Sequence, residues 1–373
     1  MTSRPLRLAI DTGPLYGHRT GVAVAVDGML HGLEQRADVS TAPYLVSFRS
    51  DPQSGHRRLP VPGIVASHLW SRIDHPRADR WLRDVDVVHG TNYVAPPTGL
   101  PTVISVYDCW FLSHPELATP MVRRAAATLR RAVDRGAWIH ASSDATAHTA
   151  RSLLQTDRVA TVRLGPPPAP AAAEDLTTPT IAGQLAAKLE GHPFVVSIAT
   201  EERRKALPVL VGAFEIVAGD DANVHLVLAG AAGTETDTIT EAIEALAAPI
   251  RARVHRLGRV DEMTKHWLIR HASTLAYPSL DEGFGFPILE SQLAGTPVVA
   301  SATGAIPEIA GTAAVLVEGH RPDDFANGLR RVLASGVERL GLIEAGYRNA
   351  GRFSWDATAS GLVELYQRAL ESS

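Results

Sequence analysis

The stretch Tyr277-Pro278-Ser279-Leu280-Asp281-Glu282-Gly283-Phe284-Gly285-Phe286-Pro287-Ile288-Leu289-Glu290, running on to Gly295, reads as a strand end, a loop and a helix N-terminus. Pro287 suits the first helical position, where its missing N–H is a group the helix leaves unpaired anyway, and Gly295 suits the stop. Gly283 and Gly285 flank Phe284 and let the backbone approach a ligand with its amides, while the helix start favours negative charge. A phosphate or a ring of hydroxyls fits such a loop. Glu282 in the loop and Glu290 about one turn inside the helix can meet one ligand from different depths, and carboxylates accept paired hydrogen bonds from vicinal hydroxyls. Either is also compatible with an ordinary helix-start carboxylate favoured by the macrodipole; the glycine–phenylalanine context favours binding.

Outward from this loop, short apolar runs alternate with amphipathic stretches. In the second half come Phe194–Ile198, a helix near Pro208–Val217, Val224–Leu228, a helix near Thr238–Ala247, Val254–Leu257, a helix near Met263–His271, Thr274–Tyr277, a helix over Pro287–Ala294 and Pro297–Ala300. The N-terminal part repeats the rhythm in Leu6–Ile10, Val22–Leu33, Val85–His89, Thr102–Tyr107, Met121–Arg135 and Trp138–Ala141. Buried strands alternating with helices predict an α/β chain of parallel sheets covered on both faces. Pro166, Pro167, Pro168 and Pro170 interrupt the alternation and mark a linker. The expected division is residues 1–170, a linker over 171–192, a second domain over 193–352, and a closing segment 353–373 packed back on the first domain. Open α/β sheets bind ligands outside the carboxyl ends of their strands, so two doubly wound, Rossmann-like domains facing across a cleft are expected to hold the site there.

A length of 373 residues exceeds what one core organises, which agrees with two domains. Apolar residues at 45% and charged residues at 20% are the proportions of a globular protein. A net charge of −4 argues against a nucleic-acid partner. The single cysteine, Cys109, excludes an internal disulfide or multi-cysteine metal site and suits a reducing cytoplasm. No run of apolar residues reaches a membrane span and the N-terminus has no secretory pattern, so a cytoplasmic protein is expected.

The Glu282–Glu290 signature resembles that of retaining glycosyltransferase family 4, the glycosyl transferases group 1, whose architecture is the two-domain GT-B fold. Further similarity lies in Ser197–Phe214, Leu226–Gly230, Gly258-Arg259-Val260, Gly304–Glu308 and Phe353-Ser354-Trp355. In the N-terminal half it lies in Thr20-Gly21, Asp86–Asn92, Tyr107-Asp108, His114-Pro115-Glu116 and Ala141–Asp144. The resemblance implies a metal-independent hexosyltransferase without a cofactor, using GDP-mannose or a UDP-hexose on a saccharide or lipid-linked acceptor of cell-envelope or polysaccharide synthesis. Bacterial polysaccharide mannosyltransferases look most similar. It further implies that Arg204 and Lys205, with Thr200 beside them, grip the donor diphosphate, and that Glu290 binds the ribose. Glu282 with the backbone of Gly283, Phe284, Gly285 and Phe286 would hold the hexose, Arg259 and Val260 would flank the base, Gly21 would admit the diphosphate, and Asp108 would stand near the reacting sugar. Three positions depart from the family: Tyr107 where histidine is usual, Ala206 where asparagine is usual, at little expected cost, and Glu201 where an apolar residue is more common.

Ordinary roles compete with these. Arg204 and Lys205 would also suit a solvated basic turn, and Asp108 a turn after a strand. Asp84-Val85-Asp86 has the look of a paired-aspartate metal site but precedes a strand, and His89 and His140 read as strand-end residues rather than bases. On a helix over Met121–Arg135, the side chains of Arg123, Arg124, Arg130, Arg131 and Arg135 share one side opposite Val122, Leu129 and Val133. Such a face suits either solvent or an anionic membrane surface. Two other functions stay open: a non-catalytic sugar-nucleotide-binding relative, or another GT-B nucleotide-sugar enzyme such as an epimerase or phosphorylase.

Overall fold

A computed structural model describes residues 4–17, 20–47, 55–168, 180–189, 191–334 and 336–372. The chain divides into two units, one of residues up to Pro167 together with the segment from Phe353, the other Pro168–Arg352.

The first unit contains strands β1 (Leu6–Asp11), β2 (Val39–Val46), β3 (Arg57–Leu59), β4 (Val87–Gly90), β5 (Thr102–Val106), β6 (Trp138–Ala141) and β7 (Val159–Thr161). They form one sheet in the order β3-β2-β1-β4-β5-β6-β7, every described pairing parallel. The second unit contains β8 (Phe194–Ile198), β9 (His225–Ala229), β10 (Val254–Gly258), β11 (Thr274–Tyr277), β12 (Val298–Ser301) and β13 (Val315–Val317). Their order is β10-β9-β8-β11-β12-β13, also parallel. Both sheets therefore start in the middle, run to one edge, and restart on the other side of the first strand. That reversal opens a crevice beyond the carboxyl ends of the two central strands: β1 and β4 in the first unit, β8 and β11 in the second.

The central strands are apolar on both faces because helices cover both. Val195, Leu226 and Val299 pack against Leu210, Phe214 and Phe325 on one side of the second sheet. Val196, Val227 and Val298 pack against Leu268 and Ile288 on the other. Helix starts are capped by side chains that accept an amide: Thr20 from Ala23, Thr119 from Val122, Ser143 from Thr146, Asp261 from Thr264 and Ser354 from Ala357.

The helix Trp355–Glu371 belongs to the first unit. It lies against the helix Gly21–Glu34, where Gly28 leaves room for the Trp355 ring, and the Trp355 indole donates to Pro166 O at 2.9 Å. Beneath it runs a buried polar chain. His140 Nε2 meets Val162 O at 2.9 Å, His140 Nδ1 meets Ser105 Oγ at 2.8 Å, Ser105 Oγ meets His89 Nε2 at 2.8 Å, and His89 Nδ1 meets Tyr366 Oη at 2.8 Å. A carbonyl only accepts, so His140 carries its proton on Nε2. Ser105 then donates to His140, His89 donates to Ser105, and Tyr366 donates to His89, with both imidazoles neutral. Burial holds both below the ordinary histidine value, His140 at about 4. These histidines lie inside the sheet with no exposed surface and serve as ties between strands and the closing helix.

The structure adds detail at three places in the sequence reading. The linker assigned to 171–192 includes an ordered helix, Thr180–Leu189, whose Leu185 and Leu189 join the apolar layer of Phe194 and Leu275. Pro170 and, of the expected linker, residues 171–179 and 190 fall outside the described residues. β2 had no clear signature because Ser40, Thr41 and Pro43 break its apolar run; β3 pairs only from Tyr44 onward, so Pro43 has a single strand neighbour. Asp84 and Asp86 are structural, Asp84 bound by Arg7 and Arg57, Asp86 by Arg4 and the Arg7 amide.

Candidate functional site

In the second unit the crevice lies between β8 and β11, and the loops leaving those two strands carry the residues singled out in the sequence. β8 runs into Ala199–Glu202, a short turn of helix over Arg203–Lys205, and the helix Leu207–Asp220. β11 runs into the loop Pro278–Gly285 and the helix Phe286–Leu293. The loops are tied by the Leu280 amide donating to Arg204 O at 2.7 Å. Two glycines permit the close packing: a Cβ on Gly230 would stand 1.7 Å from Ala199 O, and one on Gly304 would stand 2.6 Å from Glu282 O.

Four groups converge on the Glu282 carboxylate. Tyr277 Oη and Ser279 Oγ each donate to Oε1 at 2.9 Å, Lys205 Nζ pairs with the same oxygen, and Arg204 Nη1 stands 3.1 Å from Oε2. Lys205 also donates to Tyr277 Oη at 3.1 Å. Burial by itself would raise the Glu282 carboxyl, but Lys205 and Arg204 overcome it and hold it at about 2. Lys205 moves below the usual lysine value, through burial and the neighbouring Arg204 charge, against the pull of Glu282. Glu202 Oε2 also stands 3.3 Å from Arg204 Nε, so the cluster presents two cations and two carboxylates at the end of a sheet crevice.

Glu290 forms a second pair, accepting from Lys265 Nζ at 2.6 Å; Lys265 also reaches Glu262 at 2.7 Å. Burial raises the Glu290 carboxyl, and the Lys265 charge offsets this in part. Lys265 was not singled out in the sequence; its one signal is its place on the helix Glu262–His271, with no motif around it. Thr200 and Arg259 are exposed and Val260 is partly buried. Gly285 has φ 90°, and Phe284 and Phe286 meet edge to face at 5.2 Å. Gly21 and Asp108 belong to the other unit: Gly21 is exposed and opens its helix, and Asp108 accepts from the Trp110 amide at 3.1 Å and from Tyr93 Oη at 3.2 Å.

The departures acquire physical explanations. Glu201 is buried and held by Arg256, whose Nε donates at 2.6 Å, and by Thr236 Oγ1 at 2.6 Å, so this acid locks the loop rather than facing a ligand. Tyr107 donates to Thr91 O at 2.7 Å, which turns its hydroxyl into the fold. Ala206 has φ 47° and ψ 36°, a left-handed conformation that asparagine tolerates better than alanine; the expected small cost is therefore a backbone strain. Among the described residues no group of three or more His, Cys, Asp or Glu side chains is placed to hold a metal ion, and no helix is long and apolar enough to cross a membrane.

Two Rossmann-like units, with Arg204 and Lys205 at the crevice of the C-terminal one, define the GT-B architecture of glycosyltransferases. Residues 184–349 match the family glycosyl transferases group 1, and the chain carries a domain of that family. It is 27% identical to O-antigen chain mannosyltransferase B of Escherichia coli, over 86% of each chain. It is 43% identical to D-inositol 3-phosphate glycosyltransferase of Salinispora arenicola, over 28% of this chain and 23% of that one. Among solved structures, WaaG, a glycosyltransferase involved in lipopolysaccharide biosynthesis, superposes with a TM-score of 0.70 at 17% identity over 98% of this chain and 99% of that one. A trehalose-phosphate synthase of Burkholderia vietnamiensis superposes with a TM-score of 0.72 at 14% identity, over 99% and 98%.

Proposed function

We propose that this glycosyltransferase is a retaining, metal-independent hexosyltransferase, taking mannose from GDP-mannose in preference to glucose from a UDP donor. Its acceptor is a saccharide or lipid-linked saccharide of cell-envelope polysaccharide synthesis. The observation that carries the reading is the convergence of Arg204 and Lys205 on Glu282 at the crevice between β8 and β11. The likeness to O-antigen chain mannosyltransferase B supports the donor and the acceptor class.

In the transfer, the bond from the anomeric carbon to the diphosphate breaks with its electron pair staying on phosphate. The acceptor oxygen bonds to the same face of that carbon, and the acceptor proton passes to the departing phosphate. Charge grows on the diphosphate, where Arg204 and Lys205 neutralise it; cations already in place need no reorganisation as the reaction proceeds. Because Tyr277, Ser279, Lys205 and Arg204 already occupy the Glu282 carboxylate, Glu282 acts as a positioning residue for the cations. The hexose is left to the backbone of Gly283–Phe286. Glu290 binds the ribose and Lys265 orients it; Thr200, Gly21, Arg259 and Val260 complete the donor contacts, and Asp108 stands by the reacting sugar.

The protein acts at the cytoplasmic face of the membrane. Met121, 66% exposed, and the exposed Arg123 and Arg130 would touch anionic lipid, while Arg131 and Arg135 are engaged by Asp74.

The test is thermal stability against GDP, UDP, ADP and TDP and their sugars, with magnesium or with chelator. A ligand at 100 times its Kd stabilises by about 2.7 kcal/mol. A midpoint raised by GDP and unchanged by chelator is expected; no response to any nucleotide would favour a non-catalytic relative.

A further inference from the structure

In the first unit the strand order reverses between β1 and β4, and the last residue of β1, at that reversal, is Asp11. The surroundings are built. The Gly13 amide donates to Asp11 Oδ1 at 2.9 Å, and Thr91, just beyond β4, donates through Oγ1 to Asp11 O at 2.8 Å. Tyr107 ties Thr91 from the β5 side. On the β2 side Thr12 Oγ1 donates to Tyr44 O at 3.0 Å and meets His56 Nδ1 at 3.1 Å, where Tyr16 Oη arrives at the same distance. A Cβ on Gly13 would stand 3.1 Å from Oδ1, so the turn is fitted around the carboxylate.

Asp11 is partly buried, yet among the described residues no cation pairs with it and Oδ2 accepts no hydrogen bond. Among the described residues the titratable groups around it include Tyr44 of β2, His89 of β4, Tyr107 after β5, Tyr16 in the following turn and His56 before β3, and none of these supplies a positive charge at neutral pH. Structural acids in this unit behave otherwise, for Asp74, Asp84 and Asp86 are all held by arginines. A carboxylate taken partly out of water without a counter-charge is costly to the fold. Burial lifts its pKa to about 6, against the pull of the Gly13 amide.

We propose that Asp11 binds the acceptor, its Oδ2 taking a hydrogen bond from a hydroxyl of the saccharide that receives the hexose. This rests on the transferase reading above. A carboxylate that no cation among the described residues pairs with repels a diphosphate, so the donor's charged part does not sit on it, whereas a neutral polyol supplies a hydroxyl to Oδ2. The crevice at a strand-order reversal is where such a sheet takes its ligand.

The experiment measures binding by calorimetry, first of GDP and UDP, then of octyl α-D-mannopyranoside and octyl α-D-glucopyranoside with the nucleotide bound, for the wild type and Asp11→Asn at pH 7.5 and pH 5. A group titrating near 6 is ionised in about one molecule in ten at pH 5. The expected wild-type glycoside affinity therefore falls about tenfold between the two pH values, while Asp11→Asn binds about tenfold more weakly at pH 7.5 and no differently at pH 5. Nucleotide affinity stays equal in both proteins. A pH-dependent loss that persists in Asp11→Asn, an unchanged affinity in that variant, or glycosides that bind neither protein overturns the assignment. Failure of every nucleotide to bind instead removes the transferase reading on which it rests.

Discussion

Arg204 Nη1 stands 3.1 Å from Glu282 Oε2 while Lys205 holds the other oxygen, so two adjacent cations are spaced by one carboxylate from a different loop. Glu282→Gln leaves Lys205 buried without its counter-charge. Removal of one partner from a buried pair costs about 3–5 kcal/mol, and the urea midpoint should fall accordingly. Lys205→Met in the same background should recover part of the loss, because the orphaned charge goes with it. Arg204, with 20% of its side chain exposed against 10% for Lys205, contributes less to the fold. Arg204→Ala should lower turnover at saturating donor by about two orders of magnitude and shift the midpoint less than Glu282→Gln does. Full activity in Arg204→Ala would remove it from the donor site.

The strained backbone at Ala206 gives a prediction of opposite sign. Its φ of 47° costs an L-residue roughly 1–2 kcal/mol relative to the right-handed region, and glycine pays no such steric penalty. Ala206→Gly should therefore stabilise the protein by about 1 kcal/mol, read as a raised Tm. The change leaves the Lys205–Glu282 contact in place, so nucleotide binding should be retained. A lowered Tm would mean that the buried methyl contributes more than the backbone strain removes.

These two sites mark how far the sequence was readable. The stretch from Tyr277 to Glu290 announced itself because its glycines and Pro287 each call for a specific backbone and its two glutamates flank them, and the second sheet's central strands were legible because both faces are apolar. Ala206 carried no conformational sign, since alanine is silent about φ. Lys265 was invisible because its partner lies on another helix, and Glu201 looked anomalous until Arg256 appeared beside it. The edge strands Arg57–Leu59, Val159–Thr161 and Val315–Val317 are too short to show a period. Asp11 follows the apolar run Leu6–Ile10 with no motif around it; what distinguishes it is that no cation among the described residues pairs with it, a property of the fold.

The seat of the closing helix is narrow. A Cβ on Gly28 would fall 2.2 Å from Trp355 Cε2, and one on Gly165 would fall 2.6 Å from the Trp355 amide nitrogen. Gly28→Ala should displace the indole from its bond to Pro166 and strain the polar chain that ends on Tyr366. Overpacking of this kind costs about 1–3 kcal/mol. Hydrogen exchange should show the amides of Trp355–Glu371 losing protection before those of β1 and β4. Equal protection across the helix and the sheet would mean that the helix shifts as a body.

Acid titration separates the buried groups by sign. His140 is held at about 4 when folded, below the ordinary 6.5, so the unfolded chain binds its proton first, and stability present above 6.5 is lost as pH falls toward 4. Glu282 does the same lower down: its contribution is present above 4.5 and lost as pH falls toward about 2. Asp11 runs the other way. Its folded value of about 6 lies above the ordinary 3.8, so the folded protein binds the proton first and a penalty present above 6 disappears as pH falls to 3.8. In the wild type, Asp11 and His140 therefore oppose each other between pH 6 and 4. Asp11→Asn removes the compensating group, and its stability should exceed that of the wild type at pH 7.5 by on the order of 2–3 kcal/mol, with the difference shrinking as pH falls toward 4. Urea denaturation of both proteins across this range measures it. A stabilising substitution at a residue that binds substrate is the expected mark of a site kept for function at the expense of the fold; a constant difference between the two proteins at all pH values would show that Asp11 does not titrate in this window.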